Sequence, residues 1–246
     1  MSDSDLIILV IFLICVSYVV YNAINWLDNQ TKVEFERGEL DSQLSSLTLE
    51  GTPLKEIVEV SFGFKPFDRF KFSDQPKSLS TTIKNKSKDI QIFADWDRST
   101  LTDYGNASRR VIHLNSARQF ISNHQPPLIQ VPNPITPGTS LIAAQLAPEE
   151  VVQRNFEKNV LEPMKPIVDL DDLARRADLK ITPKEVKLKN SRFRNRKAPL
   201  EFSLRLLLQM KPLSDGGGRT YEYLLLCKFR VINMPWWDQL PWNPKK

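Results

Sequence analysis

The stretches "LEFSLRLLLQM" (residues 200–210) and "YEYLLLCKFRV" (residues 221–231), joined by "KPLSDGGGRT", decide the fold. Every even position of the first stretch and every odd position of the second is apolar or aromatic, whereas most intervening positions are polar. A period of two is typical of strands that bury one face, and a glycine-rich connection suits a hairpin. The pattern therefore predicts a long β-hairpin whose apolar face packs on a second sheet.

Segments upstream of this hairpin repeat the alternation. Apolar residues alternate from Val58 to Phe64, and further strands are predicted at about residues 80–85, 89–97, 108–115 and 139–146. We expect Phe67, Phe70 and Phe72 to join the core. Short helices are predicted in "APEEVVQRNFEKNV" and in "DLDDLARRADL", where Asp169 is the candidate N-cap, because acidic residues occupy the first turn of each. Residues 51–246 are thus predicted to form a mainly β domain, an Ig-like antiparallel β-sandwich with minor helices.

The N-terminal segment from Leu6 to Leu27, "LIILVIFLICVSYVVYNAINWL", contains 22 residues and no formal charge. As a helix it would be about 33 Å long, which matches one hydrocarbon core. A cleaved signal peptide and a buried core helix are the competing interpretations. Signal peptides begin with basic residues and end at a small-x-small site, whereas this chain begins "MSDSD". We predict a retained transmembrane anchor over residues 1–27, with Tyr18, Tyr21 and Trp26 at headgroup level.

Residues 28–50 are predicted to form a stalk or linker between the anchor and the domain. Val33, Leu40, Leu44 and Leu47 have helical spacing, which favours continuation of the anchor helix to about residue 48. A strand is the alternative structure for this segment.

The charges that flank the span predict its orientation. No Lys or Arg precedes the span, and Lys32 and Arg37 follow it, so the positive-inside rule slightly favours a cytoplasmic domain. All 34 Lys and Arg residues follow the span, together with 27 of the 29 acidic residues. The domain is therefore moderately basic.

The segment "KEVKLKNSRFRNRK" (residues 184–197) concentrates this charge, with seven basic residues and one acid. In an extended chain Arg192, Arg194 and Arg196 would point the same way at a spacing of roughly 7 Å, a row suited to phosphates or anionic headgroups. The predicted membrane or partner contacts here are Lys187, Lys189, Arg192, Arg194, Arg196 and Lys197. A solvated connection is the alternative. Nucleic-acid binding is not expected, because Phe193 is the only interleaved aromatic platform.

The C-terminal stretch "MPWWDQLPWNPKK" (residues 234–246) holds three of the five tryptophans, Trp236, Trp237 and Trp242. They could close one end of the core, rest in the membrane interface beside Trp26, or form a docking strip for a partner protein. These three interpretations remain open, and the tryptophans join the predicted contact residues.

Residues that could carry chemistry are few. Asp95, Asp97 and Asp103 are acidic, but no loop has calcium-site spacing, so we expect Trp96 in the core and the carboxylates of Asp95 and Asp97 opposite Arg109 or Arg110. We expect His113 in a strand and His124 in an exposed loop. No disulfide is expected between Cys15 and Cys227, and no nucleophile elbow or phosphate loop occurs. No catalytic, cofactor or metal site is predicted.

Two segments, "IKNKSKDIQIFADWDRSTLTDYGNASRRVIHLN" (residues 83–115) and "ITPGTSLIAAQLAPEE" (residues 135–150), carry a family resemblance. Their N-K-S turn, D-W-D strand, S-R-R-V-I-H strand and P-G-T segment resemble uncharacterised bacterial β-sandwich domains, several of them membrane-anchored or lipoprotein-borne and common in cyanobacteria. The resemblance covers about 70 residues. It implies a β-sandwich and membrane association, but no activity, and it favours an envelope location over a cytoplasmic one.

The sequence favours a single-pass membrane-anchored protein that binds or scaffolds at the bilayer surface, with a protein partner that the sequence does not identify. An accessory or assembly factor of a larger membrane complex is the alternative. An enzyme with a carboxylate site is the third hypothesis.

Overall fold

The computed structural model describes residues 3–28, 30–65, 68–117, 130–155, 157, 160–213 and 219–235, and all their side chains except those of residues 3–5, 24–28, 116 and 117. The helices are α1 (Asp3–Asp28), α2 (Arg37–Ser46), α3 (Leu54–Ile57), α4 (Leu114–Ala117), α5 (Leu170–Asp178) and α6 (Lys184–Arg194). The strands are β1 (Gln30–Phe35), β2 (Thr48–Leu49), β3 (Thr52–Pro53), β4 (Val58–Phe62), β5 (Phe70–Lys71), β6 (Leu79–Asn85), β7 (Ile90–Thr102), β8 (Ser108–His113), β9 (Asn133–Ile135), β10 (Ser140–Pro148), β11 (Val152–Asn155), β12 (Val160–Pro163), β13 (Leu200–Pro212) and β14 (Tyr221–Met234).

The predicted hairpin is confirmed as β13 paired antiparallel with β14. Its register places Phe202 opposite Phe229 and Leu204 opposite Cys227. All four side chains are buried, because the alternation puts them on one face. Phe229 lies at the centre of an aromatic cluster, with ring centroids 4.7 Å from Phe202 and 4.8 Å from Phe62.

Across the described ranges, the main sheet is a single ten-stranded antiparallel sheet in the order β4-β6-β10-β8-β7-β13-β14-β1-β5, with β9 paired to β7. The sheet curls so that strands near its opposite edges meet, since the rings of Phe35 on β1 and Phe62 on β4 are 4.7 Å apart. The mainly β, antiparallel prediction is confirmed, and the two facing layers are parts of this one curled sheet, joined where β8 pairs with β10.

The D-W-D motif lies at an irregularity in β7. Leu207 pairs with Asp95 and Arg205 with Thr100, so four residues of β7 stand opposite a single residue of β13. Before this point β7 pairs with β9, and after it with β8. A bulge bends its strand and increases the local twist. The motif therefore marks the place where β7 exchanges one neighbour for another.

The predicted helical stalk is wrong for residues 30–35. These residues form β1, which pairs with β14 from Gln30 opposite Met234 to Phe35 opposite Phe229. Thr31 and Val33 are buried, and the edge of β14 supplies the hydrogen bonds that stabilise a strand over a helix. The strand alternative is correct here. The sheet begins at residue 30, and the stretch expected to be a stalk is part of the fold rather than a linker before residue 51.

A short helix, α2, follows β1 and accounts for the helical spacing of Leu40 and Leu44, which are both buried. The side chain of Gln43 pairs with the main chain of Leu226 in both directions, at 2.9 and 3.0 Å. Leu226 lies on β14 beyond the end of β1. The Gln43 amide thus forms the hydrogen bonds that the main-chain N–H and C=O of Leu226 would otherwise lack, since β1 does not reach this position.

Two helix predictions have different outcomes. The helix expected from Asp169 is confirmed as α5, in which the Asp169 carboxylate accepts a hydrogen bond from the main-chain N–H of Asp172 at 2.8 Å. The helix expected in residues 147–160 is wrong: a single 3-10 turn at Glu149–Val151 leads into β11, which pairs with β12. A helix this short needs a packed face, and pairing with β12 uses the backbone of residues 152–155 instead.

Helix α1 is the long apolar helix expected at the N-terminus. Its segment Leu6–Ala23 is long and apolar enough to cross a membrane, and none of its side chains is buried by the rest of the protein. Length and composition of this kind are shared by transmembrane helices and signal sequences.

Candidate functional site

The basic segment 184–197 is a helix rather than an extended row. Helix α6 covers Lys184–Arg194 with Pro183 at its N-cap. Val186, Asn190 and Phe193 have helical spacing, and Phe193 is 2% exposed with its ring 5.9 Å from that of Phe72. Burial of Phe193 against the core stabilises a helix here over an extended chain. The prediction of a parallel row of arginines is therefore wrong, since Arg192 and Arg194 point about 160° apart on the helix.

The C-terminal end of α6 closes with a Schellman motif. The N–H of Lys197 donates to the carbonyl of Arg192 at 2.8 Å, and the N–H of Arg196 donates to that of Phe193 at 3.0 Å. Arg196 adopts the left-handed conformation that this motif requires, with φ of +58°, where glycine is the usual residue. The turn presents Arg196 and Lys197 directly after Arg192 and Arg194, so four cations share one helix end.

These cations are exposed. Arg192, Arg194, Arg196 and Lys197 are all exposed, whereas Lys187 is half-buried and Lys189 donates to the main-chain oxygen of Tyr104 at 2.5 Å. In the part of the chain that the structure describes, Arg192, Arg194 and Lys197 form no ion pair. Elsewhere the arginines are typically paired, as Arg110 is with Asp97 and Glu149. We call the exposed residues Arg192, Arg194, Arg196 and Lys197 the basic surface.

The basic surface lies at the end of the sheet where α1 joins it. The side-chain amide of Asn233 donates to the carbonyls of Phe193 and Arg194, both at 3.2 Å. Asn233 pairs with Thr31, which is three residues after the last residue of α1. Three residues of chain span at most about 11 Å. The end of α6 and the end of α1 are therefore neighbours, although they are distant in sequence.

Helix α6 crosses the strand ends from this point. Its C-terminal turn contacts Asn233 at the end of β14, and Lys189 reaches Tyr104 in the turn after β7. Strands β7 and β14 flank β13 in the sheet, so the helix passes over the ends of three neighbouring strands. Together with α5, it covers this end of the curled sheet.

The tryptophans of the C-terminal tail, Trp236, Trp237 and Trp242, lie outside the described residues, as do Phe67 and His124. The last paired residue before the tail is Met234, which stands opposite Gln30 at the start of β1. The chain therefore leaves β14 at the end of the sheet that also carries the basic surface.

The acidic residues of the D-W-D motif belong to a structural network. Asp97 accepts from the guanidinium of Arg110, as expected, and from the Gln130 side chain at 3.2 Å. The expectation that Asp95 faces Arg109 or Arg110 is wrong, because its carboxylate pairs with Arg98 at 2.9 Å within the bulge. Asp103 accepts from the N–H of Gly105 at 2.7 Å and caps the turn. Among the described residues, no three His, Cys, Asp or Glu side chains lie close enough together to hold a metal ion.

Trp96 is fully buried, as predicted, and its indole N–H donates to the Asn133 side chain at 2.6 Å. The ring of His113 lies 5.4 Å from that of Trp96. Burial lowers the pKa of His113 below its ordinary value. Burial also raises the pKa of the Cys227 thiol to about 12, which keeps it protonated and poorly nucleophilic at neutral pH.

An open groove of about 410 Å³ lies between β1 and β4, where the curled sheet is not closed by hydrogen bonds. Its apolar lining comes from Val33, Phe35, Val60, Phe62 and Phe64. The sequence gives no direct signal for this groove, because it depends on which strands meet when the sheet curls.

No family model, no curated protein and no solved structure matches the chain. The fold and the site define a mainly β protein with an N-terminal apolar helix and a basic surface beside that helix.

Proposed function

We propose that the protein is a single-pass membrane protein that α1 anchors, and that its β domain acts as a binding or scaffolding surface at the bilayer. The observation that carries the proposal is the direct join between α1 and β1. Only residue 29 separates Asp28 from Gln30, so no linker holds the domain away from the place where α1 ends. A domain joined in this way remains at the headgroups.

Electrostatics support an anionic surface as the contact. The basic surface holds four exposed cations, and near a bilayer each contributes roughly 1 kcal/mol of attraction to anionic lipid. The positive-inside rule counts only charges close to the span in sequence, but α6 adds charges that are close in space. Anionic lipid is enriched in the cytoplasmic leaflet, so we place the domain on the cytoplasmic side. A topology reporter fused after Lys246 tests this orientation.

Liposome flotation tests the surface contact. Residues 30–246, which contain the whole described sheet, should float with vesicles that contain anionic lipid and not with zwitterionic vesicles. The combined substitutions Arg192→Ala, Arg194→Ala and Arg196→Ala should abolish flotation, since they remove three of the four cations.

A matched control uses three exposed lysines at the opposite end of the sheet, Lys55, Lys84 and Lys88. Val58 pairs there with Asn85, whose side chain contacts Ile90 at the start of β7. Substituting these lysines with alanine removes the same charge but should leave flotation unchanged. If both triple variants lose binding equally, net charge rather than the basic surface attracts the lipid.

An accessory or assembly factor of a larger membrane complex is the second candidate. The open groove between β1 and β4 favours it, because unpaired strand edges with apolar side chains are places where partner chains dock. Native gel migration after detergent solubilisation tests this candidate, and a monomer at every expression level would dismiss it.

A further inference from the structure

We propose that the connection between α5 and α6 inserts apolar side chains into the membrane interface and gives the domain a second membrane contact, at the end of α6 that lies away from α1. This inference rests on the proposed function, and it adds that the contact reaches below the headgroup charges. Its central residue is Ile181.

The connection and the adjoining turns of α6 display apolar side chains to solvent. Ile181 is 92% exposed, and Leu179 and Leu188 are each 50% exposed. Isolated exposed apolar residues are ordinary, but here three fall within ten positions. Lys180, Lys184 and Lys189 lie between and beside them and are exposed as well. Segments that lie in a membrane interface combine exposed apolar side chains with Lys or Arg.

Hydrogen bonds within the chain fix the conformation of this connection. The Thr182 hydroxyl donates to the carbonyl of Arg176 at 2.5 Å, and its N–H donates to that of Leu179 at 3.3 Å. Pro183 then begins α6. These contacts turn the chain at residues 179–182 and hold Ile181 in an exposed position.

The position of the connection favours the bilayer as its occupant. Helix α6 runs from the connection to the basic surface at the end of the sheet where α1 joins, and α5 lies against the turn after β7 at the same end. The cations are complementary to anionic headgroups, and their continuity with the anchor puts the same membrane within reach. Long basic side chains can reach the headgroups while the apolar tip lies deeper.

A single labelled cysteine in the full chain tests the inference. In a Cys15→Ser background, Ile181→Cys carries an environment-sensitive fluorophore, and the protein is reconstituted in nanodiscs of anionic or zwitterionic lipid. Cys227 is buried with a raised pKa and does not label in the folded protein. Leu213→Cys is the matched control, since Leu213 is 52% exposed and follows β13 at the far end of the sheet.

In anionic nanodiscs we expect lipid-borne quenchers to quench the label at position 181 at least about fivefold more than the label at position 213. Aqueous iodide should show the reverse order. Adding Arg192→Glu and Arg194→Glu should bring the two labels to the same values, because repulsion lifts this end of the domain.

Equal quenching at positions 181 and 213 in a chain that stays with the nanodisc overturns the insertion alone. A chain that does not stay with the nanodisc overturns both the insertion and the proposed function.

Discussion

The side chain of Asn233 donates to the main-chain oxygen of Phe193 at 3.2 Å, so the strand that ends beside α1 also holds the end of the basic helix. The same amide reaches the oxygen of Arg194. This contact couples two parts of the chain that are 40 residues apart. We therefore expect the position of the basic surface beside the end of α1 to depend on this contact.

Replacing Asn233 with alanine should loosen α6 without unfolding the sheet. Two hydrogen bonds to the last turn are lost, at about 1 kcal/mol each. Amide hydrogen exchange in residues 184–194 should become about fivefold faster or more, while exchange in β13 and β14 stays unchanged. Unchanged exchange in α6 would show that Phe193 packing alone holds the helix.

Replacing Arg196 separates the cost of its left-handed backbone conformation from the contribution of its charge to lipid binding. A residue with a Cβ atom is disfavoured at the φ of +58° that Arg196 adopts, and glycine is not. Arg196→Gly should therefore raise the free energy of unfolding, measured in urea, by about 0.5–1 kcal/mol. The same variant should weaken flotation with anionic vesicles, because one of four cations is removed. Arg194→Ala is the control, since it removes a cation from a helical position. A loss of stability in Arg196→Gly would mean that the arginine side chain stabilises the turn.

The hydrogen bond between the buried indole of Trp96 and the half-buried side chain of Asn133 should stabilise the bend in β7. Asn133→Ala leaves the indole N–H without its partner in the core, which costs about 1–3 kcal/mol. Chemical unfolding measures the loss, and Asn115→Ala, at an exposed position, should change stability by less than about 0.5 kcal/mol. Equal effects of the two substitutions would contradict the assigned role of Asn133.

His113 should make stability depend on pH. Its pKa is lowered in the folded protein, so the unfolded chain, with a pKa near 6.5, binds the proton more readily. Stability is therefore full above about pH 6.5 and falls as the pH drops toward the folded pKa, by at most about 1.4 kcal/mol per pH unit. Urea unfolding between pH 7.5 and 5.5 measures the slope.

The variant His113→Gln should flatten that slope. His124→Gln, which changes the other histidine of the chain, separates the two contributions. If the slope persists in His113→Gln and vanishes in His124→Gln, the pH dependence comes from His124, which would contradict the role given to His113.

The sequence predicted the elements that local alternation defines. The hairpin of β13 and β14, the strand from Val58 and the capped helix α5 follow from side-chain period and capping, and all three are confirmed. The core position of Trp96 and the pairing of Asp97 with Arg110 were also correct. These features depend on neighbours in sequence or on one hairpin.

The features that the sequence missed depend on distant partners. Residues 30–35 are a strand because the edge of β14 lies beside them, and residues 152–155 are a strand because β12 pairs with them. The arginine alternation around Phe193 suggested an extended chain, although Pro183 and the spacing from Val186 to Phe193 were available signals for a helix. The proximity of α6 to α1 required the complete sheet order.

Alkaline carbonate extraction of native membranes, followed by N-terminal sequencing of the protein, tests the central claim that α1 remains attached and holds the domain at the bilayer. We predict that the protein stays in the membrane pellet and that its sequence begins at Met1 or Ser2. Release into the supernatant, or a mature chain that begins after Trp26, would contradict it.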